Sequence, residues 1–384
     1  MFVHQTKLEH VLPASDYHSA EAFEREQESL FRQQWQIIGL SDAVAKPGGY
    51  LAAELSGLPV IVHNQDGVIS GFRNACAHRH AQLRPNGCGN QERLTCQYHG
   101  WQYNAEGRVA KIPDGGSFKG IKAEQFCLGK IRTEVLGPFV FATLAPSGPS
   151  MREFLGEFAS EFDQYFGAHR LFSQWETAHP VNWKIVCENA VESYHVPLVH
   201  PNTFANYRDQ SLHDHRLADS HTRYADLQPW DQSIVSKGFR TLASLLLKHP
   251  NYERFKHTHL YPNHLLYYGE LMSTWTIVEP LGPKSSRYQL FAFVPKDVRY
   301  GIAGRCAQDL SSGLLLRQLK RILGEDMGIW PAIQRGLEAS DNPGILSCRE
   351  ERIWAFQRFI ADQAGQPSEQ PVEPSDTTAV STLG

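Results

Sequence analysis

The stretch "CAHRHAQLRPNGCGNQERLTCQYHGWQYNAEGRV" at 76–109 decides the reading of this chain. It offers Cys76-x-His78, a gap of seventeen residues, and then Cys96-x-x-His99. Each short loop therefore contributes one sulfur and one imidazole. A structural zinc site usually draws its ligands as Cys-Cys then His-His, or from two CxxC knuckles. One thiolate and one imidazole per loop suit a [2Fe–2S] cluster in which two cysteines hold one iron and two histidines the other. Neutral imidazoles leave such a cluster less negative, so its potential falls between about −150 and +300 mV. Two coincidental Cys/His loops, or a zinc ribbon of unusual order, are the alternatives the residues alone leave open.

The surroundings agree with a small β unit. Short β-rich runs, "LPVIVH", "VISGFRN", "LTCQYHGWQYN" and "PFVFATL", alternate with Gly, Pro and Asn turns from about 44 to 145. Residues 19–40 read as a helix, with Phe23, Leu30, Phe31 and Trp35 at helical spacing. "APSGPS" at 145–150 reads as a linker, followed by a helix carrying Phe154, Leu155, Phe158, Phe162 and Tyr165. A larger mixed region at 150–364 holds strands "HLLYY", "STWTIVEPL" and "YQLFAFVP" and helices at 182–195 and 311–340. The Pro/Ser/Glu-rich end, 365–384, has the composition of a disordered tail. The organisation expected is α+β: an N-terminal helical segment (1–43) packed on the larger region, an all-β unit (44–145), and that larger region (150–364) with an antiparallel sheet.

Composition excludes several classes. The 384 residues carry a formal charge of −4 and no block of like charge, which gives nucleic acid nothing to bind. The longest apolar run, "LASLLLK" at 242–248, is far too short for a bilayer, and "MFVHQTKLEH" lacks a signal-peptide pattern. Seven cysteines, an odd number, argue against a disulfide framework and for a reducing, cytoplasmic setting.

A cluster of this kind moves one electron at a time, so the chemistry must lie elsewhere. "NWKIVCENAVESYHVPLVHP" at 182–201 holds His195 and His200. On an unbroken helix, residues five apart point about 140° away from each other. Pro197 between them forces a break that can bring the second imidazole round. Two histidines and a carboxylate with open positions form the facial triad of non-heme Fe(II) oxygenases. A distant carboxylate is available in "LLLRQLKRILGEDMGIWPAIQRGLE", where Asp326 falls on an apolar stripe of Leu315, Leu319, Ile322, Ile329 and Ile333. An aspartate facing a core is costly unless it is paired or binds a metal. Its other reading is the cap of a helical segment starting after Gly324, and Glu325, one position off the stripe, is the second candidate.

The stretch at 76–109 closely resembles the Rieske motif of the Rieske non-heme iron oxygenases, and "LGPFVFATL" at 136–144 looks like the closing strand of their Rieske domain. Three departures are visible: His80 where glycine is common, Gln97 where proline is common, and the extra thiol Cys88. None removes a ligand. The resemblance implies Cys76, His78, Cys96 and His99 as cluster ligands, His195 and His200 as ligands of a mononuclear iron, and a helix-grip-like catalytic domain. The "ED…QRGL" segment is similar to the choline- and carnitine-oxidising branch, in which Asp326 would be the third ligand. At Glu192, three residues before His195, the resemblance implies a bridging acid that links the iron histidine to His99 of a neighbouring chain in a head-to-tail homotrimer. Asn189 and Tyr194 are expected beside it, and the pairs His213/His215 and His257/His259 as surface loop or strand residues.

The implied activity uses O₂ and electrons to hydroxylate or N-demethylate a small organic molecule, with an alkylammonium ion favoured. Tyr194, Tyr267, Tyr268 and Trp275 could build a cation–π box for it. The alternative is cis-dihydroxylation of an aromatic ring by a dioxygenase alpha subunit. No flavin or nicotinamide motif is present, so a separate NAD(P)H-dependent reductase or ferredoxin must supply the electrons.

Overall fold

Two seven-stranded antiparallel sheets organise the chain, and the reason begins in its turns. The computed structural model describes residues 2–122, 125–201, 203, 213–226, 234–248, 256–269, 271–342 and 344–364, so the tail 365–384 lies outside it. The first sheet contains β1 (Gln36–Leu40), β2 (Gly49–Leu55), β3 (Leu58–Gln65), β4 (Val68–Arg73), β5 (Gly87–Asn90), β6 (Lys130–Leu136) and β7 (Phe139–Thr143), in the order β1-β7-β6-β4-β3-β2-β5. Ser56-Gly57 and Asp66-Gly67 make its tight hairpins, with φ of 50° and 72°, and 54° and 93°. Both central residues in the left-handed region give the turn whose twist matches that of the strands. Alternation then places Ala52, Ile61 and Phe72 on one face, under the two Cys/His loops, and Leu51, Val62 and Val140 on the other.

The second sheet is built from β8 (His169–His179), β9 (His213–Leu217), β10 (His221–Asp226), β11 (Lys256–Leu260), β12 (His264–Tyr268), β13 (Ser273–Gly282) and β14 (Ser285–Pro295), in the order β8-β14-β13-β12-β11-β10-β9. Five helices matter to the site: α1 (Ala20–Glu26), α2 (Phe158–Ala168), α3 (Trp183–Val191), α4 (Gly301–Glu338) and α5 (Glu351–Gln363). One sheet face, with Leu265, Val278 and Leu290, packs against Trp183 and Val186 of α3, Trp330 of α4 and Phe356 of α5. The opposite face, with Leu266, Trp275, Phe291 and Phe293, meets α2 and the inner side chains Phe139 and Phe141 of the first sheet. The result is α+β, with an antiparallel sheet gripped by helices on the face that carries the candidate iron site.

Several expectations need correcting. The N-terminal helix ends early: a wider turn follows over Gln27–Phe31, and Gln36–Leu40 is a strand paired with Phe139–Ala142. Leu12, Tyr17, Leu30 and Phe31 pack into the second unit's core, so this segment touches both sheets. "APSGPS" is a pinned loop, because Arg132 donates to the carbonyls of Gly148 and Pro149, and Trp35 Nε1 donates to Pro149 O at 3.1 Å. His257 and His259 are fully buried strand residues, whereas the side chain of His213 is outside the described set. No described helix is long and apolar enough to cross a membrane.

Candidate active site

The two Cys/His loops have matching local geometry. In the first, Cys76 N donates to Ala81 O at 2.9 Å and His80 N to Cys76 O at 2.9 Å. In the second, Cys96 N donates to Trp101 O at 2.8 Å and Gly100 N to Cys96 O at 3.0 Å. The residue four after each cysteine takes positive φ, 58° at His80 and 71° at Gly100. His80 thus occupies a left-handed position normally given to glycine; histidine is among the residues that tolerate it. Gln97, in place of proline, donates to Leu83 O at 2.8 Å and ties one loop to the other.

Burial sorts the four donors. Cys76 and Cys96 are buried at the base, His78 is half-buried, and His99 is exposed at the tip. The imidazoles of His78 and His99 lie 4.7 Å apart, and His78 stacks on Trp101 at 4.9 Å and 3°. The two sulfurs are within hydrogen-bonding reach of each other, and burial pushes the Cys76 thiol above its ordinary value. Tyr103 Oη donates to Cys76 Sγ at 3.0 Å while accepting from Ala77 N at 2.9 Å. Two sheltered sulfurs at the base and two imidazoles toward solvent fit a [2Fe–2S] group with mixed ligands.

The second donor set arises where α3 stops. Asn182 starts that helix, its side-chain oxygen accepting from Lys184 N at 3.0 Å. The helix ends at Val191, four residues short of the expected 195, and Glu192 is extended (φ −120°, ψ 172°). The Glu192 carboxylate takes the backbone N–H of Tyr194 and, at 3.3 Å, of His195. Side chains that bond nearby backbone compete with the helix. Pro197 then sits inside a separate one-turn helix, Val196–Val199, which turns His200 back toward His195.

Asp326 closes the set from α4. One ligand atom each from His195, His200 and Asp326 fall within 4.8 Å of one another. Asp326 Oδ1 lies 3.0 Å from His200 Nε2 and 3.4 Å from His195 Nε2. That oxygen is buried with no hydrogen-bond donor aligned on it. Burial works against charge on both imidazoles, yet carboxylates outweigh it: Asp326 and Glu192 lift His195 to about 9, and Asp326 with Glu325 raises His200. Burial would raise Asp326, but the two histidines hold it below its ordinary value. Two imidazoles and a carboxylate converging on a point that calls for positive charge fit a divalent iron.

The buried stripe of α4 is shifted from the expected one. Ser312, Leu316, Asp326, Trp330 and Gln334 face inward, whereas Ile329 and Ile333 are 38 % and 39 % exposed. Ile329 and Ile333 instead line a cavity of about 280 Å³ that Glu188, Asn189, Glu192 and His195 also line. Asn189 Nδ2 lies 3.4 Å from His195, and Asn189 Oδ1 accepts from Trp330 Nε1 at 2.5 Å. Tyr194 is exposed, with Arg349 over its ring at 5.4 Å, and does not line the cavity. Tyr267 faces the helices, while Tyr268 and Trp275 face the opposite side of the sheet. The four aromatics therefore do not form one box.

Sequence reasoning missed three contributors: Trp330, Thr203 and the role of Glu325. Glu325 Oε2 accepts from His200 Nδ1 at 2.8 Å and from Thr203 Oγ1 at 2.5 Å. Adjacency to Asp326 was the available signal.

Comparison with known proteins matches these two sites separately. The family described as "Ring hydroxylating alpha subunit (catalytic domain)" matches residues 166–366, and "Rieske [2Fe-2S] domain" matches 34–123. The chain belongs to the ring-hydroxylating oxygenase alpha-subunit family. It is an oxidoreductase whose cofactors are a Rieske [2Fe–2S] cluster and a mononuclear iron. Among relatives of this oxygenase, the chloroplastic choline monooxygenase of Spinacia oleracea is 27 % identical over 342 residues, 86 % of this chain and 72 % of that protein. The carnitine monooxygenase oxygenase subunit of Escherichia coli K12 is 28 % identical over 228 residues, 58 % of this chain and 61 % of that protein. The chain spans about half to three fifths of the length of the carnitine and glycine betaine monooxygenase oxygenase subunits it matches. In fold it is similar to the quaternary ammonium Rieske monooxygenase CntA in complex with L-carnitine, with TM-score 0.73 and 20 % identity, covering 92 % and 96 % of the two chains. It is also similar to naphthalene 1,2-dioxygenase from Rhodococcus sp., with TM-score 0.70 and 18 % identity, covering 92 % and 94 %.

Proposed function

We propose that this oxygenase oxidises a small alkylammonium compound, by hydroxylation or N-demethylation, with electrons from a separate reductase or ferredoxin. Cys76, His78, Cys96 and His99 would hold the cluster, and His195, His200 and Asp326 the catalytic iron. The observation that carries the ligand reading is the approach of Asp326 Oδ1 to both Nε2 atoms with no donor of its own. The substrate reading rests on relatives that act on choline and carnitine. When bound, the iron supplies O₂ activation and the cluster supplies single electrons.

This chain's own residues set the route. Glu192 accepts at His195 Nδ1 and lines the outward cavity, where it can meet a further donor. Around it, Tyr194, Leu198 and Ile345 are 58 %, 87 % and 66 % exposed, an apolar rim of the kind that marks an interface. Tyr98, 57 % exposed beside His99, supplies a matching apolar tip on the cluster unit. These features support a head-to-tail homotrimer in which His99 of one copy meets Glu192 of the next. The proposed units are 44–145 for the cluster and 150–364 for the iron. None of the seven cysteines is in a disulfide, which supports a cytoplasmic setting.

The test is product analysis with ¹⁸O₂, a partner reductase, and a panel of quaternary ammonium compounds and arenes. One labelled atom in a product from an ammonium compound supports the reading. A second reading, arene cis-dihydroxylation, draws on the naphthalene dioxygenase fold; two labelled atoms in a cis-diol would select it.

A further inference from the structure

Both candidate iron histidines are backed by a carboxylate at Nδ1, and the two carboxylates are held differently. Glu192 backs His195 and lines the outward cavity. Glu325 backs His200 at 2.8 Å, and its Oε2 is also bound by Thr203 Oγ1 at 2.5 Å. Glu325 comes from the same helix as Asp326, one residue earlier, but meets the opposite nitrogen of the ring. His200 is thereby gripped on both edges by consecutive residues of α4. Its ring is 3 % exposed in the side chain, so neither edge has solvent as a competing partner.

We infer that Glu325 is a positioning residue for the iron site: it fixes His200 as the Nδ1–H tautomer and aims the Nε2 lone pair at the metal. The physical reason is general. An imidazole that donates its remote N–H to a fixed oxygen acceptor has one tautomer and one ring orientation. Thr203, three residues after His200, donates to the same carboxylate oxygen and so helps hold it in place. Glu325 is thus a partner of the ligand, not a ligand. Loss of such a partner typically costs 10–100-fold in metal affinity.

The inference rests on His200 and Asp326 being iron ligands, and the experiment separates the two claims. Whole protein with its cluster intact is stripped of catalytic iron by a chelator, then titrated with Fe(II). Affinity is read by competition, and site symmetry by the EPR signal of the Fe(II)–nitric oxide adduct. His200→Ala and Asp326→Ala test the ligand assignment itself; if both bind Fe(II) like wild type, that assignment fails. Provided they lose it, Glu325→Ala should lower Fe(II) affinity 10–100-fold with the Rieske spectrum unchanged. Glu325→Gln keeps the reach and an accepting oxygen without charge, whereas Glu325→Asp keeps the charge and loses the reach. Positioning predicts that Gln stays near wild type in affinity and adduct spectrum, and that Asp falls toward Ala. The inference is overturned by wild-type affinity in Glu325→Ala. It is equally overturned if Asp is sound and Gln fails, because charge alone would then be what matters. Should Glu325→Ala fail to fold, the Gln and Asp pair decides by itself.

Discussion

Tyr103 Oη stands 3.0 Å from Cys76 Sγ, and its hydroxyl is oriented by accepting from Ala77 N at 2.9 Å. A hydrogen bond to a cluster sulfur stabilises the more negative, reduced state. One bond of ordinary net strength, about 0.5–1.5 kcal/mol, corresponds to about 20–60 mV for a one-electron couple. Tyr103→Phe should therefore lower the cluster potential by that amount without bleaching the protein. Spectroscopic redox titration reads it; an unchanged or raised potential would show that the hydroxyl does not act on the cluster.

The two donor sets should fail independently. His195→Ala or Asp326→Ala is expected to lose the catalytic iron and turnover while keeping the low-average-g EPR signal of a mixed-ligand [2Fe–2S] centre. Cys96→Ala or His78→Ala should bleach the protein yet leave mononuclear iron bound. Iron analysis with EPR on each variant checks this, and stoichiometric mononuclear iron in Asp326→Ala would shift the third ligand to another carboxylate.

Glu188 gives a pH dependence whose sign can be worked out. Burial pushes its carboxyl up from 4.5 to about 7, although Tyr17 Oη and Gln357 Nε2 donate to it at 2.5 and 3.0 Å. Between those two values the folded chain holds a proton that the unfolded chain has released. Its contribution to stability is thus full at the acid end and is lost as pH rises through about 7. Glu188→Gln, a permanently neutral side chain, should flatten the fall in melting temperature from pH 5 to 8 and gain most on wild type at pH 8. A variant whose melting profile runs parallel to wild type would mean that Glu188 stays ionised in the fold.

The proposed intersubunit route is open to complementation. Cys96→Ala and Asp326→Ala chains, each inactive alone, should regain activity when co-assembled, because some interfaces then pair an intact cluster with an intact iron. Adding Glu192→Ala to the Cys96→Ala chain should cut the restored rate about 10–100-fold while both metals remain. Verified mixed oligomers that stay inactive would place electron transfer within one chain.

The seven proposed donors were legible in the sequence because ligand chemistry restricts residue type and spacing, and because the family resemblance points to the same positions. The helix end at Val191 was not, since nothing in "ENAVESYH" distinguishes a surface glutamate from one that turns back on the N–H groups of Tyr194 and His195. A similar limit hid the stripe of α4: Ile329 and Ile333 look like core by periodicity, but they line a cavity instead. The strand Gln36–Leu40 was masked by helical spacing just upstream, and only its pairing with Phe139–Ala142 defines it. Long-range pairing of this kind overrides local pattern.

The aromatic seam between the sheets has a consequence for how this enzyme is wired. Phe139 packs on Trp275 at 5.2 Å and on Phe291 at 5.4 Å, while Trp35 and Arg132 fasten the connecting loop over it. A cluster mounted this way is a fixed terminal and not a swinging arm. Within one chain, this packing ties the sheet under the Cys/His loops directly to the sheet beside the proposed iron site. On the proposed route between chains, gating of electron flow would fall to the contact at Glu192.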